Sequence, residues 1–230
     1  RREILGVAGV AGNGQRELGE VLAGLRPATG GQVLVQGRDL TNASPAEIIR
    51  QGVSLIPEDR LEMGLVAEAS VLDNLLLKSY RTPAMTRGPF LNYQAARQEA
   101  QQLLSTFQID APHLNLPVQA LSGGNLQRLL LGRELSTHPV LLLAFHPTRG
   151  LDVAATEAVH RLLLRQREEG AAILLISEDL EEILTLADRI AVMYRGEVVG
   201  LVRPEETSGE ELGFLMTGGQ IPQDSPASEG

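Results

Sequence analysis

The most informative stretch of this sequence is Leu121-Ser122-Gly123-Gly124-Asn125-Leu126-Gln127-Arg128. The two glycines follow a serine and leave their backbone amides open to a close ligand. The residues after them have the spacing of a helix whose inward positions are Leu126, Leu129, Leu130 and Leu135. Free amides at a helix N-terminus, together with the helix dipole and one hydroxyl, hold a phosphate without any lysine. This stretch therefore predicts an anion site that has no reactive group of its own.

Length, composition and charge limit the class of protein. The chain has 230 residues, of which 43% are hydrophobic, so it is long enough for one domain with a subdomain or for two small domains, and we expect one unit. A net charge of -9 argues against nucleic acid as a partner, because a phosphate-backbone binder normally has a basic face. The lack of cysteine excludes disulfides and thiolate metal sites. No apolar stretch is long enough to predict a membrane span.

A second glycine-rich segment lies near the start of the chain. A strand-like run over 4–8 leads into Gly9-Val10-Ala11-Gly12-Asn13-Gly14-Gln15-Arg16, and a helix with one apolar face follows. Both glycines of the phosphate-binding pattern G-x-x-x-x-G-K-[ST] are present, but Gln15 takes the lysine place and Arg16 the Ser/Thr place. The loop thus lacks the charge and the metal ligand of a P-loop, although Arg16 could still contact phosphate. The alternative is a plain glycine-rich turn, and this segment leaves both interpretations open.

The middle of the chain predicts short α/β elements and then a helical block. A strand is expected over 31–37, and a helix is expected to begin at Ser44 with a capping-box glutamate, Glu47. A buried strand over 53–56 leads into Pro57-Glu58-Asp59-Arg60, whose charges mark either a solvated loop or the lining of a ligand site. From about residue 70 to residue 137 the pattern is helical, with helices over 71–80 and 93–107 and no strand signal. We therefore predict an inserted helical subdomain.

Strands return after this block. A continuous apolar run over 140–144 is typical of a central parallel strand, and a second one covers 171–176. A helix is expected to follow each of them, the first ending near residue 169. Alternation on both sides of Arg195-Gly196 predicts a hairpin. The polar, Gly- and Pro-containing tail over 218–230 is predicted to be disordered, which leaves 1–217 as the folded domain.

These segments resemble one family. The stretch over 121–128 is similar to the signature motif of ABC ATPases, and Pro147-Thr148-Arg149-Gly150-Leu151-Asp152 resembles the D-loop region after their Walker B strand. More narrowly, the glycine loop, the 57–60 run and the 147–152 run resemble the second ATPase half of bacterial importers for simple sugars and nucleosides, in which two ABC domains lie in tandem. A start at Arg1 fits an excised second half, and we expect strands upstream of it to be missing. The resemblance implies the P-loop NTPase fold of an ABC ATPase domain, an α/β fold with a mainly parallel sheet, an antiparallel β portion and a helical subdomain.

The departures from the family pattern lie on one side of the site. The resemblance places Phe145 and His146 where Walker B has its Asp and Glu, Glu178 at the switch histidine, and Glu58 at the Q-loop glutamine. With Gln15 also altered, we predict no catalytic residue in cis and no metal ligand. The nucleotide contacts predicted for the loop are Gly9, Gly12, Asn13, Gly14, Gln15, Arg16 and Glu17.

The signature motif, by contrast, is intact. In the family two domains meet head to tail, so the resemblance implies that Leu121, Ser122, Gly123, Gly124 and Asn125 clamp ATP bound by a partner domain, where Mg²⁺ would also lie. The D-loop residues Gly150, Leu151 and Asp152 would couple the two sites. The partners implied are the other ABC domain of the same polypeptide, transmembrane permease subunits and, indirectly, a solute-binding protein. The implied location is the cytoplasmic side of the inner or plasma membrane, as a peripheral protein.

Three other hypotheses stay open from the residues. The domain could hydrolyse ATP unaided through His146 and Arg16, although packing at a strand end is the simpler role of this histidine. It could be a structural or regulatory module that binds no nucleotide, with Phe145 as a hydrophobic filler and Glu178 as a carboxylate at a helix N-terminus. It could also be a soluble ABC protein of translation or DNA repair, which the acidic charge disfavours.

Overall fold

The computed structural model describes residues 2–80, 82–88 and 90–219. Within these ranges the helices are α1 Gln15–Leu22, α2 Pro45–Arg50, α3 Val71–Leu76, α4 Tyr93–Thr106, α5 Gly123–Leu135, α6 Val153–Glu169, α7 Leu180–Leu186 and α8 Gly209–Met216. The strands are β1 Glu3–Ala8, β2 Leu34–Val35, β3 Arg38–Asp39, β4 Val53–Ile56, β5 Thr86–Arg87, β6 Phe90–Leu91, β7 Leu141–Phe145, β8 Ala172–Ile176, β9 Arg189–Tyr194 and β10 Glu197–Val202. A π-helical turn, Arg60–Gly64, follows β4.

A six-stranded sheet lies at the centre, in the order β10-β9-β1-β8-β7-β4. The neighbours from β9 to β4 run parallel, and β10 pairs with β9 antiparallel as the predicted hairpin. Parallel strands are covered on both faces, which is why β7 and β8 are apolar throughout. The predicted α/β fold, with a mainly parallel sheet and an antiparallel β portion, is confirmed.

Successive side chains of β7 enter two different cores. Leu142 and Ala144 belong to the larger cluster, which packs against α5, α6 and α7. Leu143 and Phe145 belong to the smaller cluster on the opposite face, beside α1 and α2. Because side chains alternate along a strand, this register directs Phe145 toward the helix that follows the first strand.

Side-chain caps begin most of the helices. Serine or asparagine accepts a backbone N–H at the start of α2, α3, α4 and α5, and aspartate does so at α6 and α7. Glu47 does not complete the predicted capping box at α2, and its carboxylate lies 3.5 Å from Arg38 instead. A complete capping box begins α8, where Ser208 and Glu211 bond reciprocally. The sequence interpretation missed this helix although Ser208 and Glu211 have the capping-box spacing.

The helical block departs from its prediction in two places. The helix predicted over 71–80 ends at Leu76. A short antiparallel pair, β5 and β6, interrupts the block that was expected to contain no strand. Gly88 between them has φ of +62°, a conformation that glycine adopts without strain, so a tight reversal is possible there. The helices α3, α4 and α5 still pack on one another as the helical part.

Two further segments, 31–37 and the residues from 218 onward, were also compared with their predictions. The strand predicted over 31–37 is shorter, and it pairs only as β2 with β3. Gly218 and Gly219 close the last turn of α8 through amides bonded to Leu215 and Phe214 carbonyls. The rest of the predicted disordered tail, 220–230, lies outside the described residues.

Candidate functional site

The glycine loop, residues 9–14, connects β1 to α1 and requires its glycines. A side chain at Gly9 would come within 2.2 Å of the Gln15 amide nitrogen. Gly14 has φ of +104° and directly precedes α1, so a residue with a side chain would be strained there. The backbone conformation therefore favours glycine at Gly14, and the Gln15 side chain takes the space beside Gly9.

Two polar residues of the loop region bond to protein groups. The Gln15 side chain is buried, and its Nε2 donates to the Val10 carbonyl at 3.2 Å. The Asn13 side chain accepts from the Arg195 amide at 2.9 Å, which ties the glycine loop to the turn between β9 and β10. An uncharged amide thus occupies the place that the pattern reserves for lysine, and Asn13 is directed toward the hairpin.

Arg16 lies on the surface of α1. Its Nε is 2.9 Å from Glu20, one helical turn further along, and 70% of its side chain is exposed. Hydrogen bonds from Arg16 and then from Arg26 hold the pKa of Glu20 below its usual value. The guanidinium is therefore already paired with a carboxylate, and any phosphate contact would have to compete with Glu20.

A cavity of about 500 Å³ opens at the carboxyl ends of the parallel strands. Ligands of open parallel sheets bind at this edge. The glycine loop follows β1, Glu58 follows β4, Phe145 and His146 end β7, and Glu178 follows β8; all contribute to the lining. The structure thus brings together Gly12, Gln15, Arg16, Glu17, Glu58, Phe145, His146 and Glu178.

Phe145 fills space beside α1. Its side chain is 8% exposed, and a methyl group built on Gly19 would lie 1.7 Å from its ring. The absence of a side chain at position 19 is what admits the ring. The family resemblance assigns metal-binding roles to the places of Phe145 and Arg16, but a phenyl ring and a guanidinium offer no oxygen ligand, so these residues do not fit Mg²⁺. Among the described residues no group of three or more His, Cys, Asp or Glu could hold a metal ion.

His146 is held in an unusual conformation. Its φ is +41°, its amide donates to the Ile176 carbonyl at 2.8 Å, and its Nδ1 accepts from the Glu178 amide at 3.4 Å. Nδ1 as acceptor leaves the proton of a neutral imidazole on Nε2. The backbone of Glu178, which the family resemblance places at the switch histidine, thus helps to position the ring.

The charges around the cavity do not favour a polyphosphate. The guanidinium groups of Arg16 and Arg149 face three carboxylates, those of Glu17, Glu58 and Glu178. Arg149 forms an ion pair with Glu58, and Arg16 is paired with Glu20. Because like charge disfavours an anion and both cations are already neutralised, the lining offers little of the attraction that a P-loop lysine supplies.

The signature segment, residues 121–128, has the opposite character. Ser122 is exposed and caps α5, its Oγ accepting from the Asn125 amide at 3.4 Å. Among the described residues nothing comes within 4 Å of a methyl group built on Gly124, so the first turn of the helix is open to a ligand. The side-chain Oδ1 of Asn125 accepts from the Asp110 backbone amide at 3.0 Å, and Leu121 and Leu126 are buried. Buried leucines and the Asn125 side chain thus hold the helix to the rest of the domain, while its N-terminus at Ser122 is exposed.

The D-loop residues begin another capped helix. Gly150 has φ of +70° in the turn after Arg149, and Leu151 is half-buried. Asp152 caps α6 by accepting from the Ala155 amide at 2.8 Å. No residue over 121–125 or 150–152 contributes to the described lining of the 500 Å³ cavity. The predicted residues over 121–125 and 150–152 are therefore separate from those that line the cavity.

Sequence interpretation missed two buried polar residues near these groups, Gln127 and Glu182. Gln127 is 2% exposed, and it bonds to both Arg60 and the Pro147 carbonyl. Glu182 is 3% exposed, and it accepts from Thr148 at 2.8 Å and lies 3.2 Å from His160. The only sequence signal for Gln127 is a polar residue between the inward positions Leu126 and Leu129.

Comparisons with known proteins found sequence relatives that cover most of this chain. The family model described as "ABC transporter" matches residues 1–149. Curated relatives include the glucose import ATP-binding protein TsgD13 of Haloferax volcanii, 48% identical over 95% of this chain and 40% of that protein. Others are the nucleoside import ATP-binding protein NupA of Lactococcus lactis, 43% identical over 95% of this chain and 43% of that protein, and the guanosine import ATP-binding protein NupO of Bacillus subtilis, 43% identical over 94% and 42%. The chain thus spans less than half the length of these relatives.

Solved structures share the fold. A nucleotide-free ATP-binding cassette of an ABC transporter superposes with a TM-score of 0.72 at 24% identity, covering 88% of this chain and 81% of the other. A dimeric cassette in a post-hydrolysis state bound to ADP and phosphate gives 0.74 at 21% identity, covering 88% and 86%. Among the described residues no helix is both long and apolar enough to cross a membrane. The match of the family model to more than half of the chain, with this fold, shows that the chain belongs to the ABC transporter family.

Proposed function

We propose that this chain is an energy-coupling ATPase domain of an importer for nucleosides or simple sugars. It is the second of two tandem domains, and it completes the ATP site of its partner with its signature segment while its own site is degenerate. Relatives whose names state import of glucose, nucleosides and guanosine support the substrate class. The proposed extent of the domain is 1–217, with a helical subdomain near 70–137.

One observation carries the division of labour. The end of α5 has an exposed Ser122 and open space at Gly124, whereas the 500 Å³ cavity is lined by the Phe145 ring, a neutral Gln15 and two paired arginines. Phosphoryl transfer depends mainly on positioning and on charge stabilisation by lysine, metal and backbone donors. A cavity without these groups is a weak catalyst, and an exposed amide cradle is useful only to a phosphate that another domain holds.

In the proposed assembly, Ser122 and the amides that follow it approach the γ-phosphate of ATP, which needs Mg²⁺, on the partner domain. Asp152 lies at the same interface and links the two sites. The helical part and the segment around Glu58 face permease subunits, so the domain works as a peripheral protein on the cytoplasmic side of the membrane. The solute-binding protein acts on it indirectly, through the permease, and no nucleic acid takes part.

The test compares two variants in the full transporter. Ser122→Arg should abolish ATP-driven uptake, because a bulky cation at the helix end blocks the close approach of the partner's nucleotide. Gln15→Ala should leave uptake close to the wild-type rate, since its site contributes little turnover. Equal losses from both variants would contradict the division of labour.

Calorimetry of this chain with Mg-ATP tests the rival in which it acts unaided. The proposed function expects weak binding and negligible turnover. Tight binding with steady hydrolysis that His146→Ala abolishes would instead support an autonomous ATPase. No binding at all, with uptake unchanged by Ser122→Arg, would support a structural or regulatory module.

A further inference from the structure

Arg60 lies where three functional segments meet. It is the first residue of the π-helical turn after β4, two positions beyond Glu58. Its Nε donates to the Gln127 Oε1 at 2.6 Å, and its Nη2 donates to the Arg149 carbonyl. Its Nη1 lies 3.9 Å from the position of a methyl group built on Gly123. One guanidinium therefore contacts the signature helix and the loop that leads to Asp152, and lies beside the first signature glycine.

Gln127 completes the connection from the side of the signature helix. Its Nε2 donates to the Pro147 carbonyl at 2.5 Å while its Oε1 accepts from Arg60. Both ends of a buried amide are thus satisfied, as a buried polar group requires. Arg60 and Gln127 reach two carbonyls of the 147–152 loop, those of Pro147 and Arg149, and hold that loop to the second turn of α5.

Partial burial strengthens the hydrogen bonds that Arg60 donates. Burial lowers the pKa of Arg60, and the neighbouring Asp59 partly offsets this effect. Hydrogen bonds from a charged donor are about twice as strong as neutral ones, and they are stronger still where water is partly excluded. The Arg149 side chain also forms an ion pair with Glu58, two residues before Arg60. The contacts among Glu58, Arg60 and Arg149 therefore form a closed ring.

We propose that Arg60 is a positioning residue that holds the signature segment and the 147–152 loop in one fixed relative geometry. Ser122 and Asp152, which cap different helices, thereby meet a partner domain as a single surface. The Glu58 segment belongs to the same ring, so displacement of that segment is transmitted to both. This inference rests on the proposed function for its role in catalysis, but the geometric part concerns this chain alone.

The choice of arginine follows from geometry. The guanidinium is a planar fork that directs Nε and Nη2 to two different acceptors at once. A lysine has the charge but presents one compact ammonium, so it can satisfy Gln127 or the Arg149 carbonyl but not both in this arrangement. Arg60→Lys should therefore restore only part of what Arg60→Ala loses.

A distance measurement tests the geometric part on the 230-residue chain, without reference to activity. Because the chain has no cysteine, single cysteines at exposed Gln119 and Val153 can carry two spin labels, one before α5 and one at the start of α6. Electron–electron dipolar spectroscopy should give a narrow distance distribution for the wild-type background and a broader, shifted one for Arg60→Ala. Arg50→Ala is the matched control, because Arg50 is exposed on α2 and bonds only locally, to the Ala46 carbonyl. A distribution that Arg60→Ala leaves unchanged would overturn the proposal.

Kinetics of the assembled transporter test the catalytic part. Arg60→Ala should lower kcat for ATP roughly tenfold to 100-fold with little change in KM, because a misplacement near 1 Å costs about that much. Gln127→Ala should lower kcat to a similar extent. The kcat of the double variant should be no lower than that of the less active single variant, since both changes break one network. Folded complexes are isolated by size-exclusion chromatography before assay, so that loss of folded protein does not imitate a change in kcat.

The outcomes separate this inference from the proposed function. If Ser122→Arg abolishes uptake but Arg60→Ala and Gln127→Ala leave kcat unchanged, the division of labour stands and the positioning role fails. If Ser122→Arg has no effect while Arg60→Ala broadens the label distance, the proposed function fails and the geometric role stands. A rise in KM with unchanged kcat, or full rescue by Arg60→Lys, would also contradict the positioning role.

Discussion

The cavity beside the glycine loop and the exposed end of the signature helix are both built from glycines, yet the glycines serve opposite purposes. At Gly19 the missing side chain is taken up by the Phe145 ring, and at Gly9 by the Gln15 amide. At Gly124 the space stays open among the described residues. In the first region the protein fills its own space with its own side chains. In the second region the start of the helix stays open.

This difference shows how a glycine can serve either packing or access. A binding site is usually a compromise between stability and an open, charged surface. Phe145 belongs to the smaller core, so this part of the cavity wall contributes to the stability of the fold. The signature segment has no such filling: Ser122 is exposed, and among the described residues nothing lies within 4 Å of a methyl group built on Gly124.

The largest expected effect lies on the filled side. Phe145→Ala should lower the free energy of unfolding by about 3–5 kcal/mol, because it removes a buried ring and leaves a cavity against Gly19. Urea denaturation followed by circular dichroism measures the loss. Phe214→Ala is the matched control, since Phe214 is 56% exposed and its truncation should cost far less. Similar losses for the two variants would show that Phe145 is not part of the core.

An intermediate effect distinguishes the two kinds of glycine. Gly19→Ala should lower the free energy of unfolding by about 1–3 kcal/mol, because its methyl group would overlap the Phe145 ring. Gly124→Ala should leave stability unchanged or raise it by up to about 1 kcal/mol, since alanine favours the helix and meets no neighbour. Denaturation of both variants supplies the measurement. If Gly124→Ala destabilises the chain as much as Gly19→Ala, the contrast between filled and open glycines is wrong.

The smallest effect concerns the pairing of Arg16. Hydrogen bonds from Arg16 and then from Arg26 lower the pKa of Glu20 from its usual value, so the ionised form stabilises the fold. This stabilisation is fully present above the unfolded-state pKa and is lost as the pH falls through the lowered folded-state pKa. Glu20→Gln should therefore cost about 0.5 kcal/mol at pH 7 and almost nothing in strong acid. Denaturation at both pH values checks it, and a difference from wild type that persists in acid would contradict the ionic origin.

Much of the fold was predictable because its signals are local. The apolar runs of β7 and β8, the hairpin of β9 with β10, and the helix that begins at Ser122 lie where periodicity and capping residues indicate. The predictions that were wrong depend on competition between neighbours. The helix predicted over 71–80 ends at Leu76, and the β5–β6 pair forms where no alternation is visible because each strand has only two residues. Helix α8 was not predicted, although Ser208 and Glu211 have the spacing of a capping box.

The candidate site also combines features that the sequence predicts with contacts that only the structure shows. The prediction that Gln15, Phe145, His146 and Glu178 stand at altered motif positions rests on the family resemblance and on chain order, because each position is counted from its own strand or loop. That Asn13 bonds to Arg195, and that Gly19 receives the Phe145 ring, are contacts between residues far apart in sequence. No periodic pattern encodes such pairs, since many partners of similar chemistry are available along the chain.

The sequence by itself therefore determined the α/β fold, the positions of both glycine segments and the loss of charge at one of them. These properties depend on residue type and spacing over short stretches, where backbone preference and hydrophobic periodicity decide the structure. Only the tertiary structure decided that Phe145 faces α1, that the signature helix end stays open, and that Arg60 bridges Gln127 to the Arg149 carbonyl. The reason is physical: strand register sets the face of each side chain, and the packing of α5 against the turn after β4 brings together hydrogen-bonding groups that are distant in the chain.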